Sequence, residues 1–345
     1  MTVPPEESAF QSLRPLMFAI AYRMLGRVTE AEDIVQEAFL RYHRAVTSGS
    51  FQRPGQAGPG EPDSPKAYLS AVTTRLCIDH LRSARARREA YVGEWLPEPL
   101  LTGPAGAGAA GLGAAGGPGS VLADPAEAAE QADSLSMAFL LLLERLSPVE
   151  RAVFLLHDVF GYGYDETAQI VGKSEDNCRQ LARRARQHVG ERRPRYEPSR
   201  DKRDELAEKF FAAVGDGDMN GLVDMLAADA AVYGDSAGQR PSWPRPIFGR
   251  EHVGRLLAAL GRQARLVGAV QRRTEVNGQP GLMFLAADGS LISVLVVDIA
   301  DGQVHTVRSV ISRDKLRHLG PLADVEALLT QLRNRPAEPG DQPAP

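Results

Sequence analysis

The sequence has little cysteine and no long apolar run. Its 345 residues include two cysteines, Cys77 and Cys178, about a hundred positions apart, so neither has a second cysteine at metal-ligand spacing. A disulfide framework and a metal site are therefore not expected. The longest apolar run, from Met137 to Leu143, is far too short to span a bilayer. We expect a soluble, cytoplasmic protein that does not bind a membrane.

Residues 101–120 are almost all glycine, alanine and proline. They contain no Gly-Lys-Ser or Gly-Lys-Thr sequence, so we exclude a phosphate-binding loop and predict no cofactor. The composition is typical of a flexible linker. A chain of 345 residues is too long for one ordinary domain, and the linker is a natural place to divide it.

Charge is segregated along the chain, although the formal net charge is only -4. Residues 75–88 carry five arginines against one aspartate, and residues 173–200 carry nine basic against four acidic residues. Such clusters in a near-neutral protein are typical of phosphate-binding surfaces. A frayed basic helix end is the alternative for residues 85–88. The arginines of the first cluster are Arg75, Arg82, Arg85, Arg87 and Arg88.

The segment 164–186 has the pattern of two short helices joined by a tight turn. Asp165 is a candidate N-cap of the first helix, Gly172 can take the left-handed conformation that ends it, and Ser174 is a candidate N-cap of the second. The pattern predicts a helix-turn-helix whose second helix fits the major groove of DNA. A helical hairpin with a solvated basic face is the alternative.

Position along this second helix separates two kinds of DNA contact. Its N-terminal residues should reach base edges, where Arg can pair with guanine and Asn or Gln with adenine. The later arginines are better placed for phosphates. The base-edge candidates are Ser174, Glu175, Asn177, Arg179 and Gln180, and the backbone candidates are Arg183, Arg184 and Arg186.

Residues 8–90 have the periodicity of helices. Apolar residues recur at helical spacing from Phe10 to Met24 and stop at Gly26. Thr29 and Glu32 form a candidate capping box for the next helix. An acidic stripe edged by arginine follows on the outer face of that helix and suits docking on a basic coiled coil, with a solvated face as the alternative. The stripe consists of Asp33, Gln36, Glu37 and Arg41.

From residue 201 onward the sequence changes in character. The predicted elements are helices near 204–214 and 222–227, a strand at 231–233 and a helix at 251–260. Further strands are separated by Asn277-Gly278, Asp288-Gly289 and Asp301-Gly302, which are typical of hairpin turns. Helices first and a meander afterwards predict an α+β domain in which a curved sheet wraps on helices.

Three segments together resemble bacterial RNA polymerase sigma factors of the extracytoplasmic-function (ECF) class. Residues 31–41 resemble the helix of sigma domain 2 that grips the polymerase clamp. Residues 67–82 resemble the helix that faces the −10 element. The helix-turn-helix resembles sigma domain 4, which reads the −35 element. The three segments occur in the family's order over about 180 residues.

The resemblance implies a promoter-specificity subunit without catalysis of its own. Its expected partners are core RNA polymerase, through the clamp and the flap, and promoter DNA. It assigns the stripe of residues 33–41 to polymerase, the arginines of residues 75–88 to the −10 element, and the helix-turn-helix candidates to the −35 element. It also implies capture of an unstacked −10 base by the loop at about 48–64.

The chain further resembles the sigma group that carries a fused SnoaL-like domain, a cone-shaped fold shared by polyketide cyclases and ketosteroid isomerases. The sequence Trp-Leu-Pro-Glu-Pro at 95–99 and parts of 235–240 and 314–316 match its motifs. In this group the extension stands in for a separate anti-sigma factor, so we expect the chain's own C-terminal domain to regulate it. The regulatory candidates are Trp95, Leu96, Pro97, Asp235, Gly238, Arg240, Asp314 and Lys315.

The expected fold is multidomain, with all-α sigma domains 2 and 4 followed by an α+β SnoaL-like cone. The expected divisions are sigma domain 2 at 1–90, a flexible linker at 91–130, sigma domain 4 at 131–195, the SnoaL-like domain at 200–325 and a disordered tail at 326–345.

Two other functions stay open. One is a stand-alone helix-turn-helix regulator that binds DNA without polymerase. The other is a SnoaL-type cyclase or isomerase with a DNA-binding arm, because relatives of that fold transfer protons with an Asp–His pair. Its candidates are Asp235, Asp298 and His305, with Tyr233 and Trp243 lining a cavity. The cone could also bind a small ligand without catalysis.

Overall fold

The computed structural model describes residues 5–49, 64–89, 91–103, 133–190, 199–238 and 245–334. The chain divides into two compact units. The first comprises Met1–Tyr91, Pro97–Pro194 and Val276–Gly278, and the second comprises Val92–Leu96, Arg195–Glu275 and Gln279–Pro345. Within the described residues, no helix is both long and apolar enough to cross a membrane.

The described part of the first unit is largely helical. Its elements are α1 (Pro5–Leu25), α2 (Val28–Thr47), α3 (Pro65–Glu89), α4 (Met137–Leu143), α5 (Pro148–Phe154), a π-helical turn (Leu155–Val159), α6 (Tyr164–Val171) and α7 (Glu175–Gly190).

Helix α1 supplies much of the core of the first unit. Met17, Phe18, Ile20 and Met24 are at most 1% exposed, and α1 packs on both α2 and α3. Burial of each such side chain contributes roughly 1.5–3 kcal/mol. The predicted periodicity is confirmed, and so is the stop at Gly26, which takes a φ of 69°. The apolar pattern therefore positions α2 and α3 with their polar faces outward.

The helix-turn-helix has a small core of its own, formed by Val153, Ala168, Cys178 and Ala182. Gly172 ends α6 with a φ of 67°, as predicted. The prediction of Asp165 as the N-cap of α6 is wrong. The cap is Gly163, whose N–H donates to the Glu166 carboxylate at 3.0 Å, because a glutamate three residues into a helix can reach back over its first turn.

The second unit combines helices with one mixed sheet. Its helices are α8 (Arg200–Asp216), α9 (Met219–Met225), α10 (Arg250–Leu266), α11 (Arg313–Leu316) and α12 (Val325–Asn334), with a short 3₁₀ turn at Arg317–Leu319. Its strands are β1 (Leu226–Asp235), β2 (Ile247–Phe248), β3 (Val270–Val276), β4 (Gln279–Leu285), β5 (Leu291–Ala300) and β6 (Gln303–Val310).

The strands lie in the order β2-β1-β6-β5-β4-β3. Strands β4, β5 and β6 pair antiparallel, and β1 joins parallel to β6 with β2 antiparallel on its far side. Helices α8 and α10 pack over a core that includes Phe210, Leu257, Leu282, Leu295 and Val307. This is the expected α+β architecture.

The predicted turns occur where expected. Asn277 and Asp301 have φ values of 54° and 50°, and the glycine after each is also left-handed. Tight hairpins require this conformation, which Asn, Asp and Gly tolerate best. The helix predicted at 222–227 begins earlier, at Met219, and ends at Met225, because β1 already begins at Leu226.

Three other expectations differ from the structure. Residues 326–334 belong to α12, although the sequence analysis treats them as a disordered tail. Residues 96–100 are buried rather than part of a flexible linker, and residues 104–130 lie outside the described part. Thr29 and Glu32 do not form a capping box, because α2 begins at Val28 and another side chain caps it.

Candidate nucleic-acid interface and regulatory contacts

The outer face of α2 carries the polar stripe predicted from the sequence. Asp33, Gln36 and Arg41 are exposed, and the Arg41 Nε donates to a Glu37 carboxylate oxygen at 2.8 Å. Leu40, which the sequence analysis overlooked, is 39% exposed beside this stripe. An exposed leucine among charged groups is typical of a binding surface in which charge sets the register and an apolar side chain is buried on contact.

The N-terminus of α2 is capped by Glu98, which is fully buried. Its carboxylate accepts hydrogen bonds from the backbone N–H groups of Val28 and Thr29 at 2.8 and 3.1 Å, and from the Arg27 Nε at 2.8 Å. Two free N–H groups and the positive end of a helix are thereby satisfied by one anion. Sequence reasoning missed this role, since cap and helix lie 70 positions apart.

The arginines of α3 have different surroundings. Arg75 donates to the carbonyl oxygens of Ile170 and Gln169, at 2.9 and 2.8 Å, at the end of α6. Arg82 is exposed and lies 3.5 Å from the Asp79 carboxylate. The side chains of Arg85, Arg87 and Arg88 lie outside the described residues. In this structure Arg75 thus satisfies the free carbonyls of a helix end and would have to exchange those bonds to contact DNA.

Helix α7 presents its predicted base-edge residues to solvent. Ser174, Glu175, Asn177, Arg179 and Gln180 are all exposed. The Ser174 Oγ accepts from the Asn177 N–H at 3.3 Å, which confirms Ser174 as the N-terminal cap. The opposite side of α7 packs inward through Cys178, Ala182, Ala185 and Val189. Burial raises the pKa of the Cys178 thiol.

The arginines of α7 fall into two groups. Arg179 is paired with Glu175 and Asp176, at 2.9 and 3.1 Å, and lies over the Tyr164 ring. Arg186 is bound to Asp158 at 2.5 Å, and this hydrogen bond raises its pKa. Arg183 and Arg184 are exposed. The first two side chains are therefore held in place, while the latter two project into solvent.

A cluster in the second unit, built around a buried ion pair, joins four predicted regulatory residues. The Lys315 Nζ lies 2.5 Å from the Asp235 Oδ2, and the two side chains are 2% and 0% exposed. The same Oδ2 accepts from the Leu96 N–H at 2.7 Å, and Lys315 donates to the Leu96 carbonyl. Lys315 also lies 4.4 Å from the centre of the Trp95 ring. We call Trp95, Leu96, Asp235 and Lys315 the lysine clamp.

The other regulatory candidates that the structure describes are not part of this cluster. Pro97 is buried in the first unit, and Asp314 is paired at the surface with Arg317 at 3.0 Å. Gly238 has a φ of 75°, and a Cβ there would lie 3.2 Å from Val92, so a larger residue would be strained. Arg240 lies outside the described residues.

The structure does not bring the candidate catalytic residues together. Asp235 is in the lysine clamp, and Asp298 forms a buried ion pair with Arg308 on the neighbouring strand. His305 has Asp229 as its acidic neighbour, with Nδ1 3.9 Å from the carboxylate. Among the described residues, these side chains have separate partners rather than converging on one cavity. Trp243 lies outside the described part, and Tyr233 packs edge-on against Phe248.

Asn277 is a further residue that sequence reasoning placed only as a turn former. It is fully buried in the first unit. Its Nδ2 donates to the Tyr22 hydroxyl at 2.7 Å and to the Leu135 carbonyl at 2.9 Å, while its Oδ1 accepts from the Leu100 N–H at 3.0 Å. Burial raises the pKa of the Tyr22 hydroxyl, so it remains protonated.

The chain matches two family models, "Sigma-70 region 2" over residues 9–87 and "Sigma-70, region 4" over residues 136–189. It is 34% identical over 319 residues to the ECF RNA polymerase sigma factor SigJ of Mycobacterium tuberculosis, covering 90% of this chain and 93% of SigJ. The chain is an ECF RNA polymerase sigma factor. Another relative of this sigma factor is the probable ECF sigma factor SigI of M. tuberculosis, 30% identical over 90% of this chain and 95% of SigI.

A solved structure agrees with this assignment along almost the whole chain. The crystal structure of M. tuberculosis SigJ superposes with a TM-score of 0.66 at 31% identity, covering 92% of this chain and 100% of that one. This sigma factor therefore directs core RNA polymerase to promoters for initiation and is not an enzyme. Its helical sigma domains precede an α+β SnoaL-like domain, as the resemblance implied.

Proposed function

We propose that the outer face of α2 is the surface through which this sigma factor binds the polymerase clamp. The stripe of Asp33, Gln36, Glu37 and Arg41 supports this proposal, together with the exposed Leu40 beside it. The stripe supplies charges that steer the encounter, and Leu40 supplies apolar area that is buried on contact. The buried cap from Glu98 holds the first turn of α2 in place.

Gel filtration of the full-length chain with core RNA polymerase tests this proposal. For the Leu40→Asp variant, the fraction of the chain that co-migrates with core RNA polymerase should fall at least tenfold, because the substitution places a charge within the contact. Gln11→Asp adds the same charge at an exposed position of α1 and serves as the control. Equal co-migration of both variants with the unchanged chain would overturn the assignment of α2.

For promoter DNA, the proposed roles follow the position of each residue along α7. The exposed N-terminal turn of α7, with Asn177, Arg179 and Gln180, would read base edges of the −35 element. Arg183, Arg184 and Arg186 would contact phosphates. Near the −10 element, Arg82 and the cluster Arg85–Arg88 would neutralise phosphates, and Arg75 would join them once released from α6. The alternative is a solvated basic face, in which case replacing these arginines would leave promoter binding unchanged.

The proposed regulator is the chain's own C-terminal domain, acting in the cytoplasm where polymerase is found. The lysine clamp supports this role, because it fixes residues 95 and 96 of the Trp-Leu-Pro-Glu-Pro segment inside the second unit. We keep the division into sigma domain 2, linker, sigma domain 4 and SnoaL-like domain as part of the proposal, with α12 added to the last. A small ligand in the SnoaL-like domain is the proposed signal.

A further inference from the structure

The second unit contains a cavity beside its sheet. The cavity is partly open to solvent, and its volume is about 120 Å³. One wall is formed by α10, through Leu257, Leu260 and Ala264, and the sheet supplies Phe284 and Leu295. The inside is therefore mainly apolar.

Helix α12 forms the cover of this cavity. Its apolar side chains Val325, Leu328, Leu329 and Leu332 line the inside, and each stays partly exposed. Asp324 precedes the first residue of the helix, and its carboxylate accepts from the Ala327 N–H at 3.0 Å. A helix that caps itself and buries no residue completely is held weakly, so it can move without unfolding the sheet.

The chain before α12 is fixed more firmly. The Leu291 N–H donates to the Pro321 carbonyl at 2.8 Å, and the Ala323 N–H donates to the Leu291 carbonyl at 2.9 Å. The Arg313 side chain also donates to the Ala323 carbonyl, at 2.7 Å. The cover is thus anchored at residues 321–323, and a hinge is expected at Asp324.

The polar groups of the cavity restrict what it can hold. Ser293, Ser309 and Gln263 are polar residues that line it, and none of the described lining residues is charged. Among the described residues, neither serine hydroxyl has a hydrogen-bond partner. A charged ligand would lose its hydration without a counter-ion, which is costly, whereas a hydroxyl or carbonyl could bond the serines.

We propose that this cavity binds an uncharged, largely apolar small molecule bearing a hydroxyl or carbonyl group, with α12 as a movable cover. The proposal rests on the regulatory role proposed above, and it names the class of ligand. The cavity also lies next to the lysine clamp. Ile311 lines the cavity, its N–H donates to the Asp235 carbonyl at 2.8 Å, and Lys315 lies four residues later. A ligand that moves this segment would therefore act on Leu96.

Titration of the full-length chain with the uncharged fluorophore N-phenyl-1-naphthylamine tests the site. We expect a saturable rise in fluorescence, with 1-dodecanol displacing the probe at least tenfold better than dodecanoate. Ala264→Phe should fill the cavity and weaken probe binding at least tenfold. The same substitution at Ala259, which does not line the cavity, should change it less than twofold.

The variant Leu328→Ser/Leu332→Ser tests the cover, since a polar α12 should open and speed probe association several-fold. The proposal would be overturned if neither this variant nor the unchanged chain bound the probe. It would also be overturned if Ala264→Phe bound the probe as well as the unchanged chain does. Probe binding should also alter hydrogen exchange at the Leu96 amide, and unchanged exchange there would remove the link to the clamp. Polymerase co-migration is measured separately, so loss of the ligand site would leave the α2 assignment standing.

Discussion

Lys315 and Asp235 are the single residues on which the regulatory proposal depends most. Lys315→Met keeps the length of the side chain but leaves the Asp235 carboxylate buried without its cation. Removing one partner of a buried ion pair typically costs about 3–5 kcal/mol. We expect a destabilisation of that size in the second unit, measured as a shift of its urea-induced unfolding transition, together with faster hydrogen exchange at Leu96.

The control for this prediction is the double variant Lys315→Met/Asp235→Asn. It removes both charges, so it should recover part of the stability lost in the single variant. Arg317→Met, at an exposed position of the neighbouring turn, should change stability by less than about 0.5 kcal/mol. A double variant that loses the sum of both single effects would show that the two charges do not act as a pair.

Glu98 offers a second test on a single residue. Glu98→Ala removes the acceptor of the Val28 and Thr29 N–H groups, and loss of a helix cap costs about 0.5–2 kcal/mol. We expect faster hydrogen exchange at these two amides and weaker binding to core polymerase, because the first turn of α2 frays. Glu94→Ala changes the same residue type in the same segment and should affect neither. Unchanged exchange at both amides would contradict the cap.

At the level of elements, α7 allows the two kinds of DNA contact to be separated. Arg179 is held by Glu175 and Asp176 near the N-terminus of α7, whereas Arg184 is exposed five residues further along. Arg179→Ala should relax the preference at one −35 base pair, at a cost of about 1–3 kcal/mol. Arg184→Ala should weaken binding to all sequences and reduce the salt slope by about one.

The measurement is holoenzyme binding to a set of −35 variants over a series of salt concentrations. Identical effects of Arg179→Ala and Arg184→Ala would contradict the separation. Gln187→Ala, at an exposed position later in the same helix, provides a matched substitution with no proposed role. Its binding should follow that of the unchanged chain.

Elements set by local patterns could be predicted, while those set by distant partners could not. The periodicity of α1 and the dipeptide Asn277-Gly278 act within a few residues, so the sequence alone indicates both. The cap by Glu98 and the pairing of Lys315 with Asp235 join positions about 70 to 80 apart, which no local pattern contains. The sequence does contain a signal for helix α12, because its apolar residues recur at helical spacing. The proline-rich residues after it dominate the composition of the segment 326–345, which is why a disordered tail is predicted there.

At the scale of the whole molecule, the two units exchange short segments of chain. Residues 92–96 belong to the second unit, although they follow the helices of the first, and residues 276–278 belong to the first unit, although strands flank them. Asn277 and Gly278 take part in five hydrogen bonds there, with Tyr22, Leu135, Leu100 and Thr102. The first unit is therefore not completed by residues 1–199 alone.

A fragment of residues 1–199 should accordingly be less stable than the same residues in the full chain. It lacks five hydrogen bonds, each contributing about 0.5–1.5 kcal/mol, and it leaves the buried Leu100 N–H without an acceptor. Hydrogen exchange at residues 97–103 should be at least tenfold faster in the fragment. In the full chain, Asn277→Ala keeps the backbone bonds and should show a smaller increase, while Asp288→Ala, in another hairpin turn, should show none. Equal exchange in the fragment and in the full chain would mean that residues 276–278 do not stabilise the first unit. Any change in transcription caused by truncation to residues 1–199 could then be assigned directly to loss of the regulatory domain.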